Sequence, residues 1–301
     1  MYAITGITGK VGGTLAAALL SEGQAVRAVL RDRAKGREWA ARGCDVALAE
    51  MDNADQLATA FAGAAAVFIL PPSEFDPEPG FPEARRVIDA VRDALLKARP
   101  ARVVCLSTIG ADAPQENLLT QRTLLEQSLS KIGLPMMFLR PGWFMENAAW
   151  DVDAARNEGV LHSFLQPADR AFPMVSTKDV GRVAADLIRQ EWSGTRVVEL
   201  EGPSRVAPND IAAAFAAALG RPVRVAIVGR ENWEAIFRGQ GTRNPQPRIH
   251  MLDGFNQGWI EFSEGGSRAL KGTTGIADVI EGLVARTQAG PSGLNGPVAR
   301  R

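Results

Sequence analysis

The run Thr5-Gly6-Ile7-Thr8-Gly9-Lys10-Val11-Gly12-Gly13 constrains the fold more than any other stretch of the chain. A short apolar strand candidate, Tyr2-Ala3-Ile4, leads into it, and a helical pattern from Gly12 to Ser21 leaves it. Glycines spaced G-x-x-G-x-x-G between a strand and a helix are the context of a dinucleotide-binding turn. Gly6 suits a sharp turn out of the strand, Gly9 a close approach to a pyrophosphate, and Gly12 tight packing of the helix near the sheet. The unbonded N–H groups and positive dipole end of that helix are where phosphates belong. A structural βα turn without a ligand shares the spacing, so the rest of the chain has to decide.

Downstream, apolar β-branched runs alternate with helical patterns, the rhythm of βαβ units and a parallel sheet. The strand candidates are Ala25–Leu30, Val46–Leu48, Ala66–Leu70, Arg102–Leu106, Met136–Leu139 and Val197–Leu200. Helices are expected at Thr14–Ser21, Arg37–Arg42, Asp55–Ala62, Glu83–Ala98, Leu119–Ser130 and Thr177–Gln190, with Asp55 and Thr177 as N-caps. The fold class expected is α/β: a doubly wound parallel Rossmann sheet with a small discontinuous C-terminal α/β lobe. Residues 1–150 form the NAD(P)-binding core and 175–201 return to it. Residues 151–174 and 202–287 form the substrate lobe, including an Ala-rich helix within Gly202–Gly220, a strand at Val223–Val228 and a helix at Glu231–Arg238. Residues 288–301, rich in Gly, Pro and Ser, read as a mobile tail.

Lys+Arg and Asp+Glu balance at 34 each among 301 residues, so there is no basic field to attract nucleic acid, and no nucleic-acid partner is expected. No apolar run is long enough to span a membrane, and no leader pattern precedes the first strand; a cytoplasmic location and no membrane partner are expected. Cys44 and Cys105 lie far apart in strand-like runs and read as buried thiols. His162 and His250 form no metal-spacing cluster, so no metal is expected. A homodimer stays open.

The second strand ends Val29-Leu30-Arg31-Asp32-Arg33, roughly twenty residues past the glycines. A carboxylate at that tip bonds the ribose 2′-OH of NAD, whereas a guanidinium forks onto the 2′-phosphate of NADP. Arg31, helped by Arg33 or Lys35, points to NADP(H), and Asp32 keeps NAD(H) as the lesser alternative. Asp52, after the third strand, is positioned either to accept from the adenine amino group or to cap the helix at Asp55. Leu70 and Pro71 end the fourth strand beside the cofactor ribose. Ser107 and Thr108 end the fifth and emerge at the crevice outside the carboxyl ends of the strands.

Four motifs together resemble the NmrA-like family, an atypical branch of the short-chain dehydrogenase/reductases. They are the glycine run, Val26–Asp32, the segment Leu106–Ala111 (LSTIGA) and Leu139–Asn147 (LRPGWFMEN); Val197–Val223 is similar to the family's substrate-lobe stretch. The resemblance covers roughly residues 1–285 and implies an NADP-preferring Rossmann fold with a small lobe over the nicotinamide. It implies that Gly6, Thr8, Gly9, Lys10, Val11 and Gly12 line the pyrophosphate and ribose, with Arg31 at the 2′-phosphate. Leu70, Pro71, Ser107 and Thr108 would then flank the nicotinamide ribose. Pro141, Gly142, Trp143 and Phe144 would border the nicotinamide and substrate, with Asn147 in the substrate pocket beside Trp143 and Phe144.

The wider superfamily relies on a Tyr-x-x-x-Lys pair. The one tyrosine here is Tyr2, in the first strand, so a catalytic tyrosine is excluded. The helix that would carry the pair reads Gln121-Arg122-Thr123-Leu124-Leu125-Glu126, and Arg122 and Glu126 are spaced to pair on one face. The catalytic residue stays unassigned, with Ser107 and Arg122 as candidates; an arginine cannot serve as a general acid at neutral pH. Without a strong acid, the substrate expected is a small conjugated or aromatic acceptor such as a quinone, enone or dye, reduced by NADPH. Trp143, Phe144, Trp150, Trp233, Phe237 and Trp259 suit a flat apolar molecule or ordinary lobe packing. The alternative is a non-catalytic NADP(H)-binding redox sensor.

Overall fold

Parallel pairing begins at the second residue of the chain, where Tyr2 stands beside Val26 on one side and Ala66 on the other. The structure, a computed structural model, describes residues 1–288. Of the expected tail 288–301, Gln288 ends the last helix and the rest lies outside the described residues. The chain forms two compact units. The first comprises Met1–Asp112, Leu119–Pro141 and Thr177–Leu200; the second comprises Ala113–Leu118, Gly142–Ser176 and the chain from Glu201 onward.

Elements follow in chain order. Strand β1 (Tyr2–Thr5), helix α1 (Lys10–Ser21), β2 (Val26–Leu30), α2 (Arg33–Ala41), β3 (Asp45–Leu48) and α3 (Ala54–Phe61) make one winding. Next come β4 (Ala66–Ile69), α4 (Pro82–Ala98), β5 (Arg102–Leu106), α5 (Thr120–Leu129) and β6 (Met136–Pro141). The second unit then takes β7 (Trp143–Phe144), α6 (Val152–Glu158), β8 (Val160–Ser163) and β9 (Met174–Val175). Helix α7 (Thr177–Arg189) and β10 (Thr195–Glu201) return to the sheet. Last come α8 (Pro208–Leu219), β11 (Arg224–Ile227), α9 (Trp233–Gly239), α10 (Gln246–Gln257), β12 (Leu270–Lys271) and α11 (Ile276–Gln288).

Across the first unit the strands lie in the order β10-β6-β5-β4-β1-β2-β3, and each neighbouring pair is parallel. Every residue of β4 and β6 is buried, the continuous burial that a parallel sheet covered on both faces requires. On one face Leu57, Phe61, Val91, Leu95 and Leu125 of α3, α4 and α5 pack with Val67, Ile69, Val103, Cys105 and Phe138. Each such side chain contributes roughly 1.5–3 kcal/mol by leaving water. On the other face α7 crosses α1 so closely that a Cβ on Gly181 would lie 2.5 Å from Thr14 Cβ and 2.7 Å from the Val11 carbonyl. Cys44 and Cys105 are both buried free thiols, and burial pushes both thiol pKa values up.

One cap assignment and one helix start need correction. Asn53, not Asp55, caps α3, accepting the Gln56 N–H at 3.0 Å. An Asx side chain reaches the third amide of its helix only from the residue before the first turn, and that residue is Asn53. Asp55 sits inside the first turn and bonds Lys97 at 2.6 Å. Helix α1 starts at Lys10 rather than Gly12 or Thr14, because Gly9 takes the extended N-cap conformation.

Within the second unit, β8 pairs in parallel with β11 and β7 with β9. Gly142 is required at this entry: a Cβ there would stand 2.5 Å from the Pro173 carbonyl oxygen. Phe164 stacks on Phe237 at 5.2 Å and meets Trp233 edge-on at 6.0 Å, and Trp233 and Phe237 are fully buried. Those two rings are therefore core packing.

Candidate functional site

The winding reverses between β1 and β4, and a crevice for a ligand opens where the carboxyl ends of two such strands diverge. The glycine run leaves β1 at this point. Gly6 adopts φ +64°, which a side chain resists, and its carbonyl accepts the Gly9 N–H at 3.0 Å. A Cβ on Gly12 would lie 2.4 Å from that same carbonyl, so Gly12 closes the turn on itself. The atoms it meets are the backbone of Gly6 and Ile7, directly after β1. Thr5 ties the two strands together, its hydroxyl donating to the Phe68 carbonyl at 3.2 Å and accepting the Leu70 N–H at 2.7 Å. Leu70 in turn packs against Gly6, 3.0 Å from where a Cβ would be.

Helix α1 opens with no side-chain cap and no acid in its first turn, and Thr8, Gly9 and Lys10 are exposed. Its first amides and positive dipole end are thus available to an anion. Val11 is buried and anchors the turn from below.

At the tip of β2 the two rival side chains separate. Asp32 caps α2, accepting from the Ala34 and Lys35 amides at 2.8 and 3.2 Å. The backbone bond from Lys35, then that from Ala34, holds its carboxyl below the usual range. A carboxylate turned into its own helix is not directed at a ribose. Arg31 is exposed at the same tip. Asp52 is exposed beyond β3, and since Asn53 takes the cap, the capping alternative for Asp52 falls away.

The tips of β4 and β5 are braced by α5. Arg122 donates to the Pro71 carbonyl at 3.0 Å and to the Ser73 hydroxyl at 2.7 Å. Gln121 donates to the Glu74 carbonyl and accepts the Glu74 N–H. The expected Arg122–Glu126 pair does not form. Glu126 instead joins Arg140, which reaches it at 2.9 and 2.6 Å and reaches Asp112 at 2.6 Å. A buried arginine in a strand outcompetes a helix neighbour for a nearly buried carboxylate, because both charges lie out of water and two aligned N–H groups meet both carboxylate oxygens. Arg122 is left with neutral acceptors, and desolvation lowers its pKa to about 10, so it stays cationic at neutral pH. Desolvation depresses Arg140, but the hydrogen bond and charge of Glu126 more than offset this and leave it above its ordinary value.

Ser107 is buried and its hydroxyl donates to Glu126. Its proton is committed to the carboxylate, so what it offers a neighbour is a lone pair. Thr108 is partly buried beside it, and the Ile109 N–H bonds the Pro141 carbonyl at 2.8 Å. The Glu126–Arg140–Asp112 network escaped sequence reading. Its signal was Arg140 itself, a charge at the end of the apolar run Met136–Leu139.

The remaining expected residues belong to the second unit. Trp143 and Phe144 form β7, and the Trp143 N–H bonds the Pro173 carbonyl at 2.9 Å. The Trp143 ring meets Phe255 edge-on at 5.3 Å. Trp143, Phe144 and Asn147 are half-buried, and Trp150 is exposed. Among the described residues, no three His, Cys, Asp or Glu side chains gather to hold a metal, and no helix is long and apolar enough to cross a membrane.

Known proteins resemble this chain in sequence and in fold. An NAD(P)H azoreductase of Xenophilus azovorans is 27% identical over 243 residues, 80% of this chain and 82% of its own. Quinone oxidoreductase 2 of Escherichia coli strain K12 is 27% identical over 244 residues, 80% of this chain and 82% of its own. The crystal structure of an NADPH-dependent quinone oxidoreductase from Escherichia coli, complexed with NADPH, superposes with a TM-score of 0.79 at 22% identity. It covers 94% of this chain and 99% of that one, and it establishes the likeness of fold. The NmrA-like family profile spans residues 2–251, from the first strand through the middle of α10, and the chain belongs to the NmrA-like family.

Proposed function

We propose that the protein is an NADPH-dependent reductase that delivers hydride to a small conjugated or aromatic acceptor such as a quinone, an enone or a dye. The observation that carries the reading is the switch-point turn: an uncapped helix start beside a strand tip where Arg31 is exposed and Asp32 is consumed by its own helix. Relatives named azoreductase and quinone oxidoreductase support the class of reaction.

The dinucleotide, when bound, supplies the hydride. The chain's own contributions divide by place. Backbone from Gly6 to Gly12 takes the pyrophosphate, and Arg31 takes the 2′-phosphate, helped by Arg33 or Lys35. Asp52 faces the adenine end. Leu70, Pro71, Ser107 and Thr108 flank the nicotinamide ribose, on walls held by Thr5, Arg122 and Glu126. Pro141 and Phe144 belong with the nicotinamide, and Trp143, Phe144 and Asn147 with the acceptor.

No tyrosine stands ready as an acid, and Ser107 gives its proton to Glu126. The acceptor must therefore take hydride without a protein acid: a quinone or enone does so as an anion that draws its proton from water, and a cationic dye becomes neutral and needs none. NADPH oxidation with a panel of quinones, enones and triarylmethane dyes tests this. Turnover of one class, with NADPH preferred to NADH, is expected. Tight NADPH binding without turnover of any acceptor would replace the reading with that of a redox sensor.

A further inference from the structure

Strand β3 is the open edge of the first unit's sheet. It pairs with β2 on one side, and among the described residues no strand pairs with it on the other. The Ala49 N–H bonds the Leu30 carbonyl at 3.0 Å. Alternation along the strand then turns the N–H and C=O groups of Ala47 toward β2 and those of Val46 and Leu48 outward. The next outward amides on either side are already taken: the Cys44 N–H by the Trp39 carbonyl at 3.1 Å, the Glu50 N–H by the Gln56 side chain at 2.9 Å. Two donors and two acceptors thus stand open on one short edge. Natural edges are commonly guarded by a lysine, a proline or a bulge. This one presents Val46, Ala47 and Leu48, with Leu48 39% exposed. Its one charge, Asp45, is tied to Arg27 at 2.6 Å. A groove of about 390 Å³ runs along it, lined by β3 and by Gln56, Thr59 and Ala60 of α3.

We propose that this edge joins a second copy of the chain, β3 against β3, antiparallel about a two-fold axis. The open groups fix the register. With Val46 opposite Leu48 of the partner and Ala47 opposite itself, every open donor meets an open acceptor, and each Val46–Leu48 pair exchanges two bonds. The same pairs cover the exposed Leu48 with an apolar neighbour. Charge selects the direction. Arg42 stands before the strand and Glu50 after it; both are exposed, and among the described residues neither side chain has an ion-pair partner. The Arg42 guanidinium rests on Trp39, 4.6 Å from the ring centroid, which leaves its fork of donors free. Antiparallel pairing brings Arg42 of each copy to Glu50 of the other, diagonally across the two strands. Parallel pairing would set like charge beside like.

Sedimentation of the whole chain over a concentration series tests this. The native protein is expected to reach twice its chain mass of 32.2 kDa and to dissociate on dilution. Leu48→Lys sets a charge against the apolar pair and should shift the equilibrium at least about tenfold toward monomer. Its circular dichroism should not change, because the side chain is exposed. Arg42→Glu or Glu50→Arg alone should weaken the dimer, and the two together should restore it. Ala47→Cys reads the register. Residues of a non-hydrogen-bonded antiparallel pair have Cα atoms about 4.5 Å apart, within disulfide range, so mild oxidation should join two chains through position 47. The native thiols, Cys44 and Cys105, are buried and should stay unjoined. A single-chain mass at every concentration overturns the proposal and leaves the edge to an extended peptide of another protein. A dimer that Leu48→Lys and the charge reversals leave unchanged, or an Ala47→Cys dimer without the disulfide, overturns this interface.

Discussion

Arg140 grips Glu126 with two of its N–H groups, Nε at 2.9 Å and Nη at 2.6 Å, and the same carboxylate accepts the Ser107 hydroxyl. The side chains of the pair are 9% and 11% exposed, so neither charge can fall back on water if the other is removed. Glu126→Gln should destabilise the fold by about 3 kcal/mol, since it leaves the buried Arg140 with only the exposed Asp112 as a counter-charge. The double variant Glu126→Leu, Arg140→Met should recover much of that loss, because the pair is removed together. Urea titrations read both values; losses that simply add in the double variant would contradict the coupling.

The architecture was legible because it is written locally. Val67, Phe68 and Ile69 have no polar neighbour to alternate with, and glycine punctuates the first turn, so strand, turn and helix announce themselves. Glu126 was misjudged because spacing along a helix reports only same-helix partners. Its actual partner, Arg140, arrives from the adjacent strand through the parallel register of β5 and β6. Helix α10 went unread because it is short of an apolar stripe, starts among Pro245 and Pro247 and carries Gly254 inside. With it went Phe255, which the Trp143 ring meets edge-on. Asp32 shows the opposite case: the sequence offered two destinations for one carboxylate, and only the cap geometry separates them.

That geometry makes cofactor choice testable. With Asp32 committed to the Ala34 and Lys35 amides, Arg31 is left to meet the 2′-phosphate. Arg31→Glu replaces a phosphate partner with a like charge. It should weaken NADPH binding at least about tenfold, the scale of one charged hydrogen bond, and leave NADH nearly unchanged. Calorimetric titration with both dinucleotides decides, and equal losses would remove Arg31 from the phosphate.

The turn itself has almost no tolerance. Gly12→Ala places a methyl 2.4 Å from the Gly6 carbonyl oxygen, which is backbone and cannot rotate away. Since Gly6 already holds φ +64° and its carbonyl anchors the Gly9 amide, the loop must open to make room. Helix α1 itself should survive, because Leu15, Ala16 and Leu19 bury its inner face. The expected result is loss of NADPH binding by more than about a hundredfold, with far-ultraviolet circular dichroism little changed. Retained affinity would mean that the turn is not the phosphate cradle.

Asp151 offers a pH-dependent test in the second unit. Burial pushes its carboxyl up to about 7, and among the described residues nothing bonds or pairs with it. In the unfolded chain it ionises near the ordinary aspartate value of about 3.9. Between these two values the folded state keeps a proton that the unfolded state has released, so stability falls as pH rises from about 4 to about 7 and is level beyond. The full span would be about 4 kcal/mol, and partial access to water reduces it to about 2 kcal/mol. Asp151→Asn removes the ionisable group while keeping its shape. The variant should match the native protein near pH 4 and exceed its unfolding free energy by about 2 kcal/mol near pH 8. Denaturant melts at both values measure this, and a difference independent of pH would show that the carboxyl is not held protonated by its surroundings.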